Sequence, residues 1–342
     1  MPTIPPKVPL NESAIDLTPV DLLSVQVLVD NVTDALSTNP GNVLSEFACH
    51  VVAGSPMLSG RAICCAHHGL SLVLGARVGE RTRTVLFDAG PEDYAVARNG
   101  EQLRVDFGAV EALVLSHGHW DHGGGMLEAV RRVRAARPDG DLRCYLHPGM
   151  FRQRGMTLPG GHVWPMEDVP TQAQYRAAGC EPVVSDRPTL LLDGACFVSG
   201  EIPRVTEYER GLPGHVARDS QDVEWQPDPY IMDERFVAVH VRDRGLVVFS
   251  ACSHAGLINV LTEARRLFPK IPLHAVVGGF HLSGDAVEPI IPQTVRDLAQ
   301  FEPRFIVPSH CTGWRAVTAL INAFGEERVV PNAVGKLLVF SA

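Results

Sequence analysis

The sequence has no long hydrophobic run. Nowhere does it approach the roughly eighteen uninterrupted apolar residues that suggest a membrane span, so no membrane-spanning helix is expected. It also lacks a basic excess. Thirty Lys and Arg stand against 39 Asp and Glu, a net charge of −9. Bulk nucleic-acid binding needs a basic stripe, so nucleic acid is not an expected partner. The first residues, Met1-Pro2-Thr3-Ile4-Pro5-Pro6-Lys7, show no basic stretch followed by an apolar one, and no secretory signal is expected. There is no low-complexity tract and no internal repeat, and charged residues make up only 20% of the chain, which argues against disorder. Hydrophobic content of 45% is enough for a substantial core. Cysteine is not scarce: eight are scattered at 49, 64, 65, 144, 180, 196, 252 and 311. Without an export signal there is little reason to pair them, and they read as reduced thiols of a cytoplasmic protein.

The informative segment is Ser116-His117-Gly118-His119-Trp120-Asp121-His122-Gly123-Gly124-Gly125. The apolar run Val110 to Leu115 before it has strand character, and Leu127, Val130 and Val133 after it fall on one helical face. Three imidazoles and a carboxylate therefore sit at a strand-to-helix turn, where α/β folds place their chemistry. Nitrogen and oxygen donors of this kind suit zinc or another first-row divalent ion. One short turn cannot wrap all four around a single ion. His117 and His119 can share one, with Asp121 and His122 directed at a second, which predicts a two-metal site.

His-x-His-x-Asp-His after a strand resembles the signature of the metallo-β-lactamase superfamily. Thr84-Val85-Leu86-Phe87-Asp88-Ala89-Gly90 resembles its early strand and Asp-x-Gly element, and Phe305 to His310 its late strand ending in a histidine ligand. The strings Val27-Leu28-Val29-Asp30-Asn31, His68-Gly69-Leu70-Ser71, Gly200-Glu201-Ile202-Pro203-Arg204, Ala251-Cys252-Ser253-His254, Gly278-Gly279-Phe280-His281 and His310-Cys311-Thr312-Gly313 narrow the likeness. They resemble the branch of dihydropterin-ribofuranosylaminobenzene phosphate synthases and related hydrolases. The resemblance spans residues 24 to 340. It implies an α/β fold, the four-layer αβ/βα sandwich, in one domain over 23–342, preceded by an irregular Pro-rich arm over 1–22.

The resemblance also implies the remaining site residues. His310 would be the last ligand, on the second metal. Where the superfamily has a bridging aspartate the chain has Cys252, with His254 two residues on; His254 is favoured as the ligand and the Cys252 thiolate is its rival. Near the place of the mid-chain ligand histidine stands Glu201, a candidate for an oxygen ligand or for a contact to substrate. Asp88 would orient a ligand histidine from outside the metal shell. His281, after two glycines that permit close approach, would be a general acid. Arg204 is a candidate anion binder and His68 a candidate contact to substrate. His147, His162, His215, His240 and His274 are assigned no role. The expected cofactor is one or two Zn2+, with Mn2+ or Fe2+ as alternatives. The expected partner is a small, anionic substrate such as a phosphoester or lactone, hydrolysed by metal-activated water; a metal-dependent transferase is the alternative. No oligomeric state follows from the sequence.

Regular strands and helices are expected over 71–75, 84–88, 110–116, 236–241, 246–250, 273–278 and 304–308, and over 124–137, 257–267, 293–301 and 314–324. The Pro- and Gly-rich stretches 148–182 and 203–230 are expected to be loops, in the manner of functional lids.

Overall fold

Val85 and Phe87 face one side of their strand and Leu86 the other, and this two-residue alternation generates the layers of the molecule. In the computed structural model, which describes residues 15–342, Val85 and Phe87 pack on Val247, Phe249 and Val277 of a second sheet. Leu86 turns outward against Val96, Val130 and Val133 of the helices Asp93–Gln102 and Met126–Ala136. The second sheet alternates likewise. Val248, Val276 and Ile306 leave the inter-sheet core to meet Leu261, Leu298 and Leu320 of the helices Leu257–Leu267, Ile291–Leu298 and Trp314–Phe324. Helix, sheet, sheet and helix thus stack as the expected αβ/βα sandwich.

The first sheet runs, in spatial order, Val43–Leu44, Leu337–Ser341, Leu22–Val29, Ser71–Val78, Arg81–Phe87, Val110–Val114, Arg143–Leu146 and Glu181–Val184. The second runs Thr189–Leu191, Cys196–Val198, Val237–Val241, Gly245–Ser250, Leu273–Gly279 and Phe305–Ser309. Four strands of the first sheet are mutually parallel from Arg81–Phe87 onward, and so are the last three of the second. Parallel strands bring their carboxyl ends to one edge. There stand Asp88, the 116–122 turn and His147 from the first sheet, and Cys252, His281 and His310 from the second. That edge is where open α/β sheets bind ligands.

One expectation is corrected here. Residues 15–21 form no helix or strand but pack on the domain: Leu17 and Val20 are buried, Thr18 N donates to the Gly194 carbonyl, and Val20 bridges to Val241. The rest of the expected arm, 1–14, lies outside the described residues. The stretches expected as loops contain the helix Gln172–Ala177 and a third, four-stranded sheet, in order Gln226–Pro227, His215–Arg218, Gln153–Thr157 and Val163–Pro165. Its strands are two to five residues long and interrupted by Gly and Pro, so no alternation accumulates to reveal them. Among the described residues no helix is long and apolar enough to cross a membrane.

Candidate metal centre

The strand Val110–Val114 delivers Ser116 and His117, and a single helical turn, Trp120–Gly123, follows. His117 and His122 are fully buried, and His119 and Asp121 nearly so. Burial and the surrounding imidazoles push His117 and His119 well below the ordinary histidine range. They are therefore neutral, the form that binds metal. Asp88, in left-handed backbone at φ 56, anchors the turn. Its Oδ1 accepts Ser116 N–H at 2.7 Å, and its Oδ2 accepts the Ser116 hydroxyl and His122 Nδ1, each at 2.7 Å. His122 Nε2 is thereby turned inward, where it has no hydrogen-bond partner. Burial opposes charge on His122, but the Asp121 and Asp88 carboxylates outweigh it and raise the imidazole to about 9. Asp88 thus stands where an orienting carboxylate was expected.

Asp121 Oδ2 faces three imidazoles. It lies 3.3 Å from His310 Nε2, 3.5 Å from His68 Nε2 and 3.8 Å from His122 Nε2. Burial alone would raise Asp121, but the imidazoles of His122, His310 and His68 outweigh it and hold the carboxyl well below its usual range. His310 arrives from the second sheet in left-handed backbone, its N–H bonded to Asp30 Oδ1 at 3.1 Å and its Nδ1 to Asn31 Oδ1 at 3.0 Å. Burial raises Asp30 to about 6 despite these bonds. His68 is mostly exposed and sits at the mouth, its ring 5.0 Å from that of His310.

Cys252 and His254 both enter the site. Donor atoms of His117, Cys252 and His254 lie within 4.8 Å of one another, and so do those of His122, Cys252 and His310. Cys252 therefore belongs to both groups, and to a third with His281 and Cys311. The His254 ring lies 4.9 Å from His117 and 4.8 Å from His119. Both its nitrogens are buried with no hydrogen-bond partner, and His117 Nε2 is in the same condition. Buried polar nitrogens are almost always paired. Several unpaired nitrogens converging with a thiol and a carboxylate fit a soft-to-borderline divalent ion or two.

His281, at φ 44, adjoins this cluster. Its ring is 4.3 Å from His254 and its Nδ1 3.7 Å from Cys252 Sγ. Burial opposes its protonation, but a bond to Cys311 and the charges of Cys311, Glu234 and Asp121 outweigh it, so His281 titrates above an ordinary histidine. The two glycines before it serve the backbone: a Cβ on Gly278 would collide with the Ser250 carbonyl, and one on Gly279 with Cys311 Sγ. Cys311, given no role by the sequence, lies 3.1 Å from Cys252, Sγ to Sγ. Burial raises both thiols, but the bond with Cys252, then His310 and His281, pull Cys311 well below the usual thiol range while Cys252 stays above it.

Two expected site residues stand apart. Arg204 is buried; its Nη1 and Nη2 donate to the backbone carbonyls of Ile202 and Tyr230 and, at 3.1 Å, to that of Ile231, while its Nε has no hydrogen-bond partner. It braces a loop. Glu201, like His119, belongs to none of the donor groups among the described residues; its carboxylate is half exposed, 3.7 Å from His147 Nε2. Sequence reasoning also missed His215, whose Nε2 lies 3.1 Å from His119 Nε2. Alternation in a four-residue strand gives no signal for it.

A cleft of about 500 Å3 opens beside the donors. Ser253, His254 and His281 line it, with Tyr208, Phe280 and Leu282 among its less polar walls.

Residues 70–179 match the family model described as the metallo-beta-lactamase superfamily. The chain is 26% identical over 286 residues to the 7,8-dihydropterin-6-methyl-4-(beta-D-ribofuranosyl)-aminobenzene-5'-phosphate synthase of Methanocaldococcus jannaschii, covering 80% of this chain and 90% of that protein. Its fold is similar to the crystal structure of a metal-dependent hydrolase of the beta-lactamase superfamily, with TM-score 0.66, 23% identity and coverage of 94% of this chain and 100% of that one. Unliganded yeast PDE1 has the same fold at TM-score 0.53 and 9% identity, with the same coverage.

Proposed function

The chain is an enzyme of the metallo-β-lactamase superfamily, and from that premise we propose that it is a metal-dependent hydrolase of a small ester, a phosphoester or lactone. The observation that carries this is the convergence of unpaired His117, His122 and His254 nitrogens with Cys252, Asp121 and His310 at the carboxyl ends of two sheets. His117, His119 and His254 would hold one ion and Asp121, His122 and His310 a second, with Cys252 between. Zinc suits this nitrogen, oxygen and sulfur set, and Mn2+ or Fe2+ are its rivals. Ions held there lower the pKa of water from about 15.7 to about 7 and so supply a nucleophile near neutral pH.

The chain's own groups do the rest. Asp121, with one oxygen shared among imidazoles, orients the nucleophilic water and takes its proton. His281, at the cleft wall and proton-retaining, delivers a proton to the leaving oxygen. The cleft beside them admits a substrate with a less polar portion against Tyr208, Phe280 and Leu282. With Arg204 buried and braced on backbone carbonyls, an anionic group on the substrate would be met by the ions and by His68 at the mouth.

The similarity to a synthase over most of the chain favours a second reading, a transferase in which the ions activate a leaving group. Turnover in 18O-labelled water separates the two, since only hydrolysis places the label in product. Metal-supplemented protein should contain one to two equivalents of zinc, manganese or iron by elemental analysis. Asp121→Ala should stay folded and lose turnover by orders of magnitude. Protein without metal, or a folded Asp121→Ala variant of normal activity, would remove the proposal.

A further inference from the structure

The third sheet contributes nothing to the donor groups, yet one of its residues reaches the centre. His215 opens the strand His215–Arg218 and is 1% exposed. Its Nε2 lies 3.1 Å from His119 Nε2. Its Nδ1 lies 2.8 Å from the carbonyl oxygen of Asp228, with the Asp228 carboxylate 3.6 Å away. A carbonyl oxygen only accepts, so His215 Nδ1 carries a proton and, in the neutral ring, Nε2 presents a lone pair. The matching donor is His119 Nε2–H. The remaining nitrogen of His119, Nδ1, then holds the lone pair.

The same division of labour recurs around the cluster. Nδ1 of His117, His122 and His310 is engaged by Ser116 Oγ at 2.9 Å, Asp88 at 2.7 Å and Asn31 at 3.0 Å. Each of these rings therefore turns Nε2 toward the centre. His119 is engaged at the other nitrogen: His215 takes Nε2, which leaves Nδ1 as the second donor of a ring 4.5 Å from that of His117 and 4.8 Å from that of His254. Metal-binding histidines nearly always give their other nitrogen to such a partner, which sets tautomer and orientation.

We propose that His215 is a positioning residue of the metal centre: from the third sheet it accepts the His119 Nε2–H, fixes the tautomer that leaves Nδ1 free for the ion, and is itself held by Asp228. This rests on the metal-centre reading above. It makes the segment 153–228 a part of the metal site rather than a lid beside it.

The test uses the full chain freed of metal by chelation. Zinc affinity is measured by competition with a chromophoric chelator, and coordination by the visible absorption of the cobalt(II) form. His215→Ala should weaken zinc binding roughly 10–100-fold, the usual cost of losing such a partner. His215→Gln, whose Oε1 can accept the same hydrogen bond, should restore most of the affinity, and its cobalt bands should match wild type in position and intensity. Wild-type affinity in His215→Ala overturns the inference. So does a His215→Gln variant as weak as the alanine with altered cobalt bands, because His215 would then be a ligand itself. If His215→Ala does not fold, the glutamine variant alone decides between these outcomes. Wild-type protein that takes up no zinc would overturn the metal-centre reading, a result separate from unaltered affinity in the variants.

Discussion

Cys252 and His254 were rivals for one vacancy in the sequence, two residues apart where a carboxylate was expected. In the structure they occupy different places. Cys252 shares one donor group with His117 and His254, another with His122 and His310 and a third with His281 and Cys311, whereas His254 joins only the first. His254→Ala should therefore cost one metal equivalent, and Cys252→Ala should weaken both, as elemental analysis after dialysis would show. Two tightly held equivalents in Cys252→Ala would exclude the thiol from the shell. The His281 imidazole supports a second prediction. It touches the cleft and retains its proton better than an ordinary histidine. General acid catalysis contributes about a hundred- to ten-thousand-fold, so His281→Ala should slow substrates with poor leaving groups by that order. It should spare those with activated leaving groups and leave metal content unchanged. Equal slowing of both substrate kinds would exclude the acid role, and lost metal would make His281 a ligand. At this scale the sequence was legible where donors crowd into six residues, as at 117–122. It was silent where one residue comes from far away: His215 and Cys311 owe their places to tertiary packing, and the burial of Arg204 depends on carbonyls 26 and 27 residues on.

The elements that alternate cleanly were legible; those too short to alternate were not. Strands such as Gly245–Ser250 and Phe305–Ser309, and helices such as Leu257–Leu267 and Trp314–Phe324, stand within a residue of their sequence-derived limits. The third sheet has the sequence character of loop because Gly155, Pro165 and Pro227 interrupt its short strands. Besides the His215–His119 contact, its attachment to the 116–122 turn is ionic. Arg154, in the strand Gln153–Thr157, pairs with Asp233 at 2.8 Å, and the other Asp233 oxygen accepts the Gly118 N–H at 2.8 Å. Both side chains are almost fully buried. Removing one member of a buried pair strands the other, at about 3–5 kcal/mol. Asp233→Asn should therefore lower the unfolding free energy from denaturant titration by that much and loosen the third sheet in amide exchange. Burial alone would raise Asp233, but Arg154 outweighs it and the folded value falls below 3.8. The contribution of a depressed carboxyl is present above its unfolded pKa and lost as pH falls through its folded one. The acid limb of the stability curve, below about pH 4, should thus be shallower in Asp233→Asn than in wild type. An unchanged limb would show that the pair contributes nothing to acid sensitivity.

Across the whole molecule, the donors come from both halves of the sandwich. His117, His119, Asp121 and His122 follow the strand Val110–Val114 of the first sheet, while Cys252, His254 and His310 follow strands of the second. The apolar core between the sheets is non-directional and fixes their spacing loosely at the edge, where side chains give way to loops. Ions at that edge would tie the sheets together at their least constrained point. Without them, buried imidazoles are left unpaired beside one another, a costly state in a low-dielectric site. Metal should therefore bind the folded chain in strong preference to the unfolded one, and it stabilises by mass action, about 4 kcal/mol when free metal exceeds Kd about a thousandfold. Chelation should lower the thermal midpoint by several degrees, and zinc should restore it in proportion to the logarithm of its free concentration. The loss should be greatest at the carboxyl-end edge, so amide exchange in the chelated protein should rise first at 116–123, 252–256 and 309–312. The opposite edge, around the turns at 79–80 and 242–244, should be unaffected. Uniform destabilisation of both edges would mean that the ions act on the fold as a whole rather than as a clasp between its sheets.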